Sequence, residues 1–110
     1  HDVGDAVLQM VANTLSSNIR SFDRVIRWGG EEFLVILVNI QDSDLPLIAE
    51  KIRVLVQKSF LKHQDISLSV TVSIGATLCR GDDTKESLLK RADSLMYDSK
   101  QANRNRVTIG

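Results

Sequence analysis

The 110-residue chain contains one cysteine, one proline and one tryptophan, and its aromatic residues make up only 5%. A single cysteine, Cys79, has no intramolecular partner, so nothing asks for an oxidising compartment, and a small residue in a strand is its ordinary use. No apolar run approaches the ~20 residues of a membrane span, and no basic stretch leads into an apolar one as in a signal peptide. A soluble, cytoplasmic domain without membrane contact of its own is expected. Charge of one sign is also missing: 14 basic residues balance 14 acidic ones. Without a bulk positive field there is no general attraction to phosphate backbones, and nucleic acid is not an expected partner. What is present is ordinary globular material, 43% hydrophobic and 25% charged, in the amount of one domain. The chain starts at His1 and runs at once into a helical pattern, which reads as a piece of a longer protein.

Val7, Val11, Leu15 and Ile19 recur at helical spacing, with Leu8 and Ala12 widening the stripe, and predict an amphipathic helix over roughly Val3 to Ile19. From Asp23 to Asn39 the chain turns β-branched and aromatic on either side of Gly29-Gly30, the pattern of a hairpin whose second strand is buried on both faces. Ile48, Ile52, Leu55 and Val56 describe a second helix ending near Lys58, with Pro46 in its first turn. Ser67 to Cys79 alternates cleanly and predicts a strand, in which Gly75 marks a bulge or a close backbone approach. Asp83 and Glu86 have the spacing of a capping box ahead of a third helix that runs to about Ala102, and Arg106 to Ile109 forms a last short strand. The fold class is α/β with segregated layers, helices flanking a largely antiparallel central sheet.

The tip of the hairpin, Gly29-Gly30-Glu31-Glu32, holds the chemistry. Two glycines permit positive φ in a turn and equally let backbone approach a bulky anion. Adjacent carboxylates repel, and contribute little to a turn unless a cation lies between them or solvent simply screens both. Magnesium is the natural cation, because it takes hard oxygen ligands and is commonly held by one or two carboxylates together with substrate phosphates. Asp5, in the first turn of a helix, is placed for capping or for a ligand. Lys100 and Arg104, four apart, would share one helical face as a solvated pair or as an anion site.

"RWGGEEF" resembles the hallmark motif of the GGDEF domain, the catalytic domain of diguanylate cyclases, with Glu in the variable third place. "HDVGD" is similar to that family's G-H-x-x-G-D segment, "RSFD" at Arg20 to Asp23 to its R-x-x-D motif five residues before the glycines, "VTVSIG" to its central strand and "LLKRADSLMYDSKQANRN" to its last helix. The resemblance implies a ferredoxin-like, nucleotide-cyclase-like fold. It also implies a reaction in which a homodimer of such domains condenses two GTP into cyclic di-GMP and two pyrophosphates with Mg²⁺ or Mn²⁺, under the control of an upstream sensor. Carried over residue by residue, Glu31 is a metal ligand and the base for the attacking hydroxyl, and Glu32 holds the second cation. Gly29 and Gly30 lie against the nucleotide, while His1 and Asp5 contact substrate, Asp5 accepting from the guanine edge. Lys100 and Arg104 bind the triphosphate. Arg20 and Asp23 form the site at which cyclic di-GMP inhibits, with Lys51 where a secondary arginine often stands. The alternative is a non-catalytic GGDEF domain that acts as a receptor for cyclic di-GMP or GTP. The family's first strand, with its D-x-D-x-F-K-x-x-N-D motif, has no counterpart here, so these 110 residues alone are expected to be inactive.

Overall fold

The computed structural model describes residues 2–110. Their order is α1 (Val3–Ser17), β1 (Arg24–Arg27), β2 (Phe33–Ile36), α2 (Asp44–Lys58), β3 (Leu61–His63), β4 (Ile66–Leu68), β5 (Ile74–Ala76), α3 (Lys85–Gln101) and β6 (Val107–Ile109). The α/β class expected from the sequence is the one found. Among the described residues, however, the strands pair as three two-stranded sheets, two antiparallel and one parallel, and not as the single largely antiparallel central sheet expected. Alternation sets which residues extend and not which strands meet. The chain divides into two compact units, the first comprising residues up to Ile40 with Leu55–Val70 and the second Gln41–Val54 with Thr71–Gly110.

In the first unit, α1 begins at Asp2, whose carboxylate accepts the Asp5 backbone N–H at 2.9 Å. The helix stops at Ser17, short of Ile19, because Asn18 folds back: its backbone N–H donates to the Leu15 carbonyl at 3.1 Å and its side-chain amide to that of Thr14 at 2.7 Å. α1 packs on β1 and β3 and buries Val11 and Leu15, and Val56 from the end of α2 has no exposed surface. β1 and β2 pair antiparallel, with Arg24 opposite Ile36 and Arg27 opposite Phe33. β2 is not buried on both faces as its apolar run predicts: Phe33, Leu34 and Val35 are half-buried and Ile36 is 44% exposed. Its one ladder partner among the described residues is β1, and a two-stranded ribbon lacks the flanking strands that would cover it. A hairpin that the sequence analysis missed joins β3 to β4 through Gln64 (φ 50°) and Asp65 (φ 68°), a two-residue turn without the usual glycine.

In the second unit, β5 and β6 run parallel, Ile74 opposite Val107, and α3 packs across both. The single long strand expected over Ser67 to Cys79 is therefore interrupted. Alternation records a preference for extended backbone, but residues 69–73 have no ladder among the described residues to turn it into a strand. Gly75 is a point of close backbone approach: a Cβ there would lie 2.1 Å from the Met96 nitrogen and 2.4 Å from the Ala92 carbonyl oxygen. Opposite it, the fully buried Ser99 donates to the Ile74 carbonyl at 2.8 Å and pairs with the Thr108 hydroxyl at 2.7 Å.

The capping box of α3 sits one residue later than its expected position at Asp83 and Glu86. Thr84 and Ser87 exchange the two reciprocal hydrogen bonds, at 2.9 and 3.1 Å. Asp83 is committed elsewhere, taking a bidentate bond from Arg91 at 2.9 and 2.6 Å as well as bonds from the Arg80 N–H and the Ser87 hydroxyl. The Arg91 guanidinium, followed by these donors, holds the Asp83 carboxyl far below the usual carboxylate range.

A carboxylate whose pKa is depressed on folding adds stability above its unfolded pKa of about 4 and loses it as pH falls towards the folded value. Denaturant unfolding at stepped pH is therefore expected to show this contribution constant above about pH 5 and declining below about pH 4. Asp83→Asn should flatten the acid limb, and an unchanged limb would remove Asp83 from its cause.

Candidate functional site

The hairpin tip is a tight loop from Trp28 to Glu32. The Glu32 carbonyl accepts the backbone N–H of Trp28 at 2.8 Å and that of Gly29 at 3.3 Å. Arg27, a residue with no sequence signal beyond its place before the motif, braces the loop from within. Its Nε donates to the Gly29 carbonyl at 3.1 Å, its Nη2 donates to the Gly30 carbonyl, and its guanidinium lies 5.9 Å from the centre of the Phe33 ring. Glu31 is exposed and Glu32 half-buried beside Gly29.

Neither glycine has positive φ, so the turn does not use the left-handed freedom that the sequence allowed it. Steric room within the chain does not demand glycine either. A Cβ at Gly30 meets nothing within 4 Å, and one at Gly29 makes only ordinary contact with the Glu32 side chain at 3.7 Å. What the missing side chains leave is bare backbone open to solvent beside two carboxylates.

Asp5 lies along one wall of an open groove of about 490 Å³, whose other lining includes Leu8, Ala12, Val25, Arg27 and Phe33. The helix-capping role that could have accounted for Asp5 belongs to Asp2. The Asp5 side chain is therefore an exposed acceptor at the rim of an apolar groove, and that groove shares Arg27 with the hairpin loop. His1 lies outside the described residues.

Arg20 and Asp23 form a built ion pair rather than a loose surface one. The Asp23 side chain is 1% exposed, and its Oδ2 accepts from the Arg20 backbone N–H at 3.0 Å and from Nε at 3.2 Å, while Oδ1 accepts from the Val38 N–H at 2.9 Å. Burial pushes the Asp23 carboxyl up, but the bonds from Val38 and Arg20 together outweigh it and hold it below its ordinary value. Arg20 also donates to the Val38 carbonyl and lies 4.6 Å over the Phe22 ring, which leaves 47% of its side chain exposed. Lys51 is exposed on α2.

Lys100 and Arg104 belong to the second unit, and they do not share a helical face. α3 ends at Gln101, and the next residues form a left-handed turn: Asn103 (φ 77°), Arg104 (φ 59°) and Asn105 (φ 48°). The Arg104 N–H closes the end by donating to the Ser99 carbonyl at 3.0 Å, the long bond of a Schellman motif with asparagine in the left-handed position. Asn103 carried the available signal, since asparagine tolerates that conformation better than other non-glycine residues. The helical spacing therefore ends before Arg104.

Among the described residues no cluster of three or more His, Cys, Asp or Glu side chains forms a metal cage. The donors at the tip are two carboxylates and nothing softer. That set fits a hard cation which keeps waters and takes further oxygens from a substrate, and does not fit a closed structural zinc site.

A family model described as "Diguanylate cyclase, GGDEF domain" matches residues 1–106. The chain belongs to the GGDEF domain family. Among relatives, the response regulator PleD of Caulobacter vibrioides is 46% identical over 110 residues, covering 97% of this chain and 24% of that protein. Diguanylate cyclase A of Treponema denticola is 40% identical over 99% of this chain and 30% of its own length. The chain thus spans about a quarter to a third of the curated relatives it matches. The GGDEF domain of DgcB from Caulobacter crescentus, solved in complex with c-di-GMP, superposes with a TM-score of 0.91 at 33% identity, over 99% of this chain and 66% of that one. The diguanylate cyclase SiaD of Pseudomonas aeruginosa, solved with its activator SiaC, gives 0.94 at 34% identity, over all of this chain and 42% of its own.

Proposed function

We propose that this GGDEF domain is the catalytic part of a diguanylate cyclase that condenses two GTP into cyclic di-GMP. The observation that carries the reading is the loop Gly29–Glu32, which sets two adjacent carboxylates beside glycines that neither φ nor packing within the chain requires. Backbone bared in this way suits close approach of a nucleotide. In each half of the reaction the 3′-hydroxyl oxygen of one GTP bonds to the α-phosphorus of the other, and the bond from that phosphorus to the bridging oxygen breaks. Pyrophosphate leaves with the bond's electron pair, and the hydroxyl proton passes to Glu31.

Glu31 and Glu32 would hold Mg²⁺ or Mn²⁺, which when bound supplies positive charge against the charge developing on phosphate. Asp5 accepts from the N1–H and N2–H of guanine at the rim of the apolar groove, an arrangement that adenine cannot match. Lys100 and Arg104 bind the triphosphate. One domain holds one GTP, so the active unit is a homodimer. We place it in the cytoplasm within a longer chain under the control of a sensor, in keeping with relatives of which it spans about a quarter to a third.

The test is to incubate the intact protein with GTP and Mg²⁺ and follow cyclic di-GMP. Product supports the cyclase. No product, together with saturable cyclic di-GMP binding, overturns it in favour of a receptor.

Product control is proposed at Arg20, whose exposed half can offer a guanidinium to a cyclic di-GMP phosphate while Asp23 steadies it. Arg20→Ala is expected to raise the concentration of cyclic di-GMP needed for half-inhibition by about tenfold or more, a loss of the size typical of one charge-assisted contact. Inhibition curves measured with added product check this, and an unshifted curve would remove Arg20 from the site.

A further inference from the structure

The left-handed turn after α3 is held at both ends. On one side the Arg104 N–H bonds to the carbonyl of Ser99, itself anchored to β5 and β6. On the other, Asn105 is pinned from α2, where Arg53 Nη1 donates to Asn105 Oδ1 at 2.8 Å across 52 residues of sequence. Arg53 is in turn fixed by Glu50, through Nε at 2.7 Å and Nη2 at 2.6 Å, and only 16% of its side chain is exposed. Three consecutive non-glycine residues at positive φ do not stay there by local preference. The Arg53 fork opposes relaxation of the end nearest Arg104 together with two other bonds, from Arg106 Nε to the Arg104 carbonyl at 3.3 Å and from the Ile74 N–H to the Arg106 carbonyl at 2.9 Å. Of the three, it is the one that reaches the Asn105 side chain.

We propose that Arg53 is a positioning residue for Arg104: through Asn105 it maintains the left-handed turn that sets how Arg104 meets the distal phosphates of a nucleoside triphosphate. The inference rests on the reading of Arg104 as a phosphate-binding residue. Lysine cannot replace Arg53, because its one nitrogen cannot hold Glu50 and Asn105 in this fork. Asparagine 105 matters as an acceptor, a property that aspartate keeps and glycine loses while still accepting positive φ.

The test measures binding of 3′-deoxy-GTP, which lacks the attacking hydroxyl and cannot turn over, and of GMP, which lacks the distal phosphates, to the intact protein with Mg²⁺. Arg53→Lys and Asn105→Gly are each expected to weaken 3′-deoxy-GTP about tenfold and to leave GMP within about twofold, while Asn105→Asp restores most of the loss. In an Arg104→Ala background, Arg53→Lys should cost little more, since it acts through Arg104. An equal loss for both nucleotides, or a full further loss in the Arg104→Ala background, would overturn the inference while leaving the phosphate role of Arg104 intact. Unchanged 3′-deoxy-GTP binding by Arg104→Ala itself would defeat that role, and this inference with it.

Discussion

Glu31→Ala is expected to lower cyclic di-GMP formation by about 10³-fold or more, the range for loss of a general base, with a metal ligand lost in the same change. Glu31→Gln should do nearly as much, because the neutral amide keeps the shape but neither takes the proton nor neutralises a cation. Stability should barely move. Glu31 is exposed at a loop whose closing bonds are made by backbone and by Arg27, so the fold does not depend on its side chain, and such surface changes usually stay within about 0.5 kcal/mol. Gly30→Ala sharpens the test: it is free of clashes within the chain, so it should leave the melting temperature in place while reducing turnover by blocking close approach of the nucleotide. Chromatographic assay of product alongside thermal unfolding separates the two effects. A Glu31→Ala protein that still makes cyclic di-GMP at the parent rate would sink the assigned role.

Gly75→Ala should fail in the opposite way, through the fold. The added methyl would sit 2.1 Å from a backbone nitrogen and 2.4 Å from a backbone carbonyl oxygen of α3, neither of which can swing aside as a flexible side chain would. Overpacking of this kind costs about 3 kcal/mol or more, because the helix must lift from the strand. In a domain of this size that corresponds to a fall of roughly 15 °C in melting temperature. Lifting α3 would also weaken the bond from Ser99 to the Ile74 carbonyl, so the carrier of Lys100 loosens with it. Calorimetry or circular dichroism decides the matter, and a melting temperature within a few degrees of the parent would show that α3 is not seated on Gly75.

Helix positions were legible because period and burial agree over many residues: Val11 and Leu15 on α1 are buried where the stripe put them. The hairpin was legible because β-branched and aromatic runs flank Gly29-Gly30, and a glycine inside an alternating run marked Gly75 as a bulge or the close approach it proves to be. The carboxylate pair stood out because like charges side by side ask for a cation. Burial of β2 was misjudged, because an apolar run shows what a strand can bury and not how many neighbours it has. The Arg104 helical face was misjudged for a related reason. Spacing continues indefinitely on paper, whereas Asn103 ends the helix by turning left-handed and closing a bond to Ser99.

Local pattern, then, determined the three helices, the hairpin around Gly29-Gly30 and the acidic tip, since each depends on residues adjacent in sequence or one turn apart, and the order of short motifs along the chain gave the family. Tertiary structure alone decided which partners those residues take. Asp83 became the partner of Arg91 instead of a helix cap, Asp23 a buried acceptor for Val38, and Arg53 the pin of Asn105. These are hydrogen bonds between groups 8, 15 and 52 positions apart, and no periodicity in a sequence records which distant donor will meet which acceptor once the chain has folded.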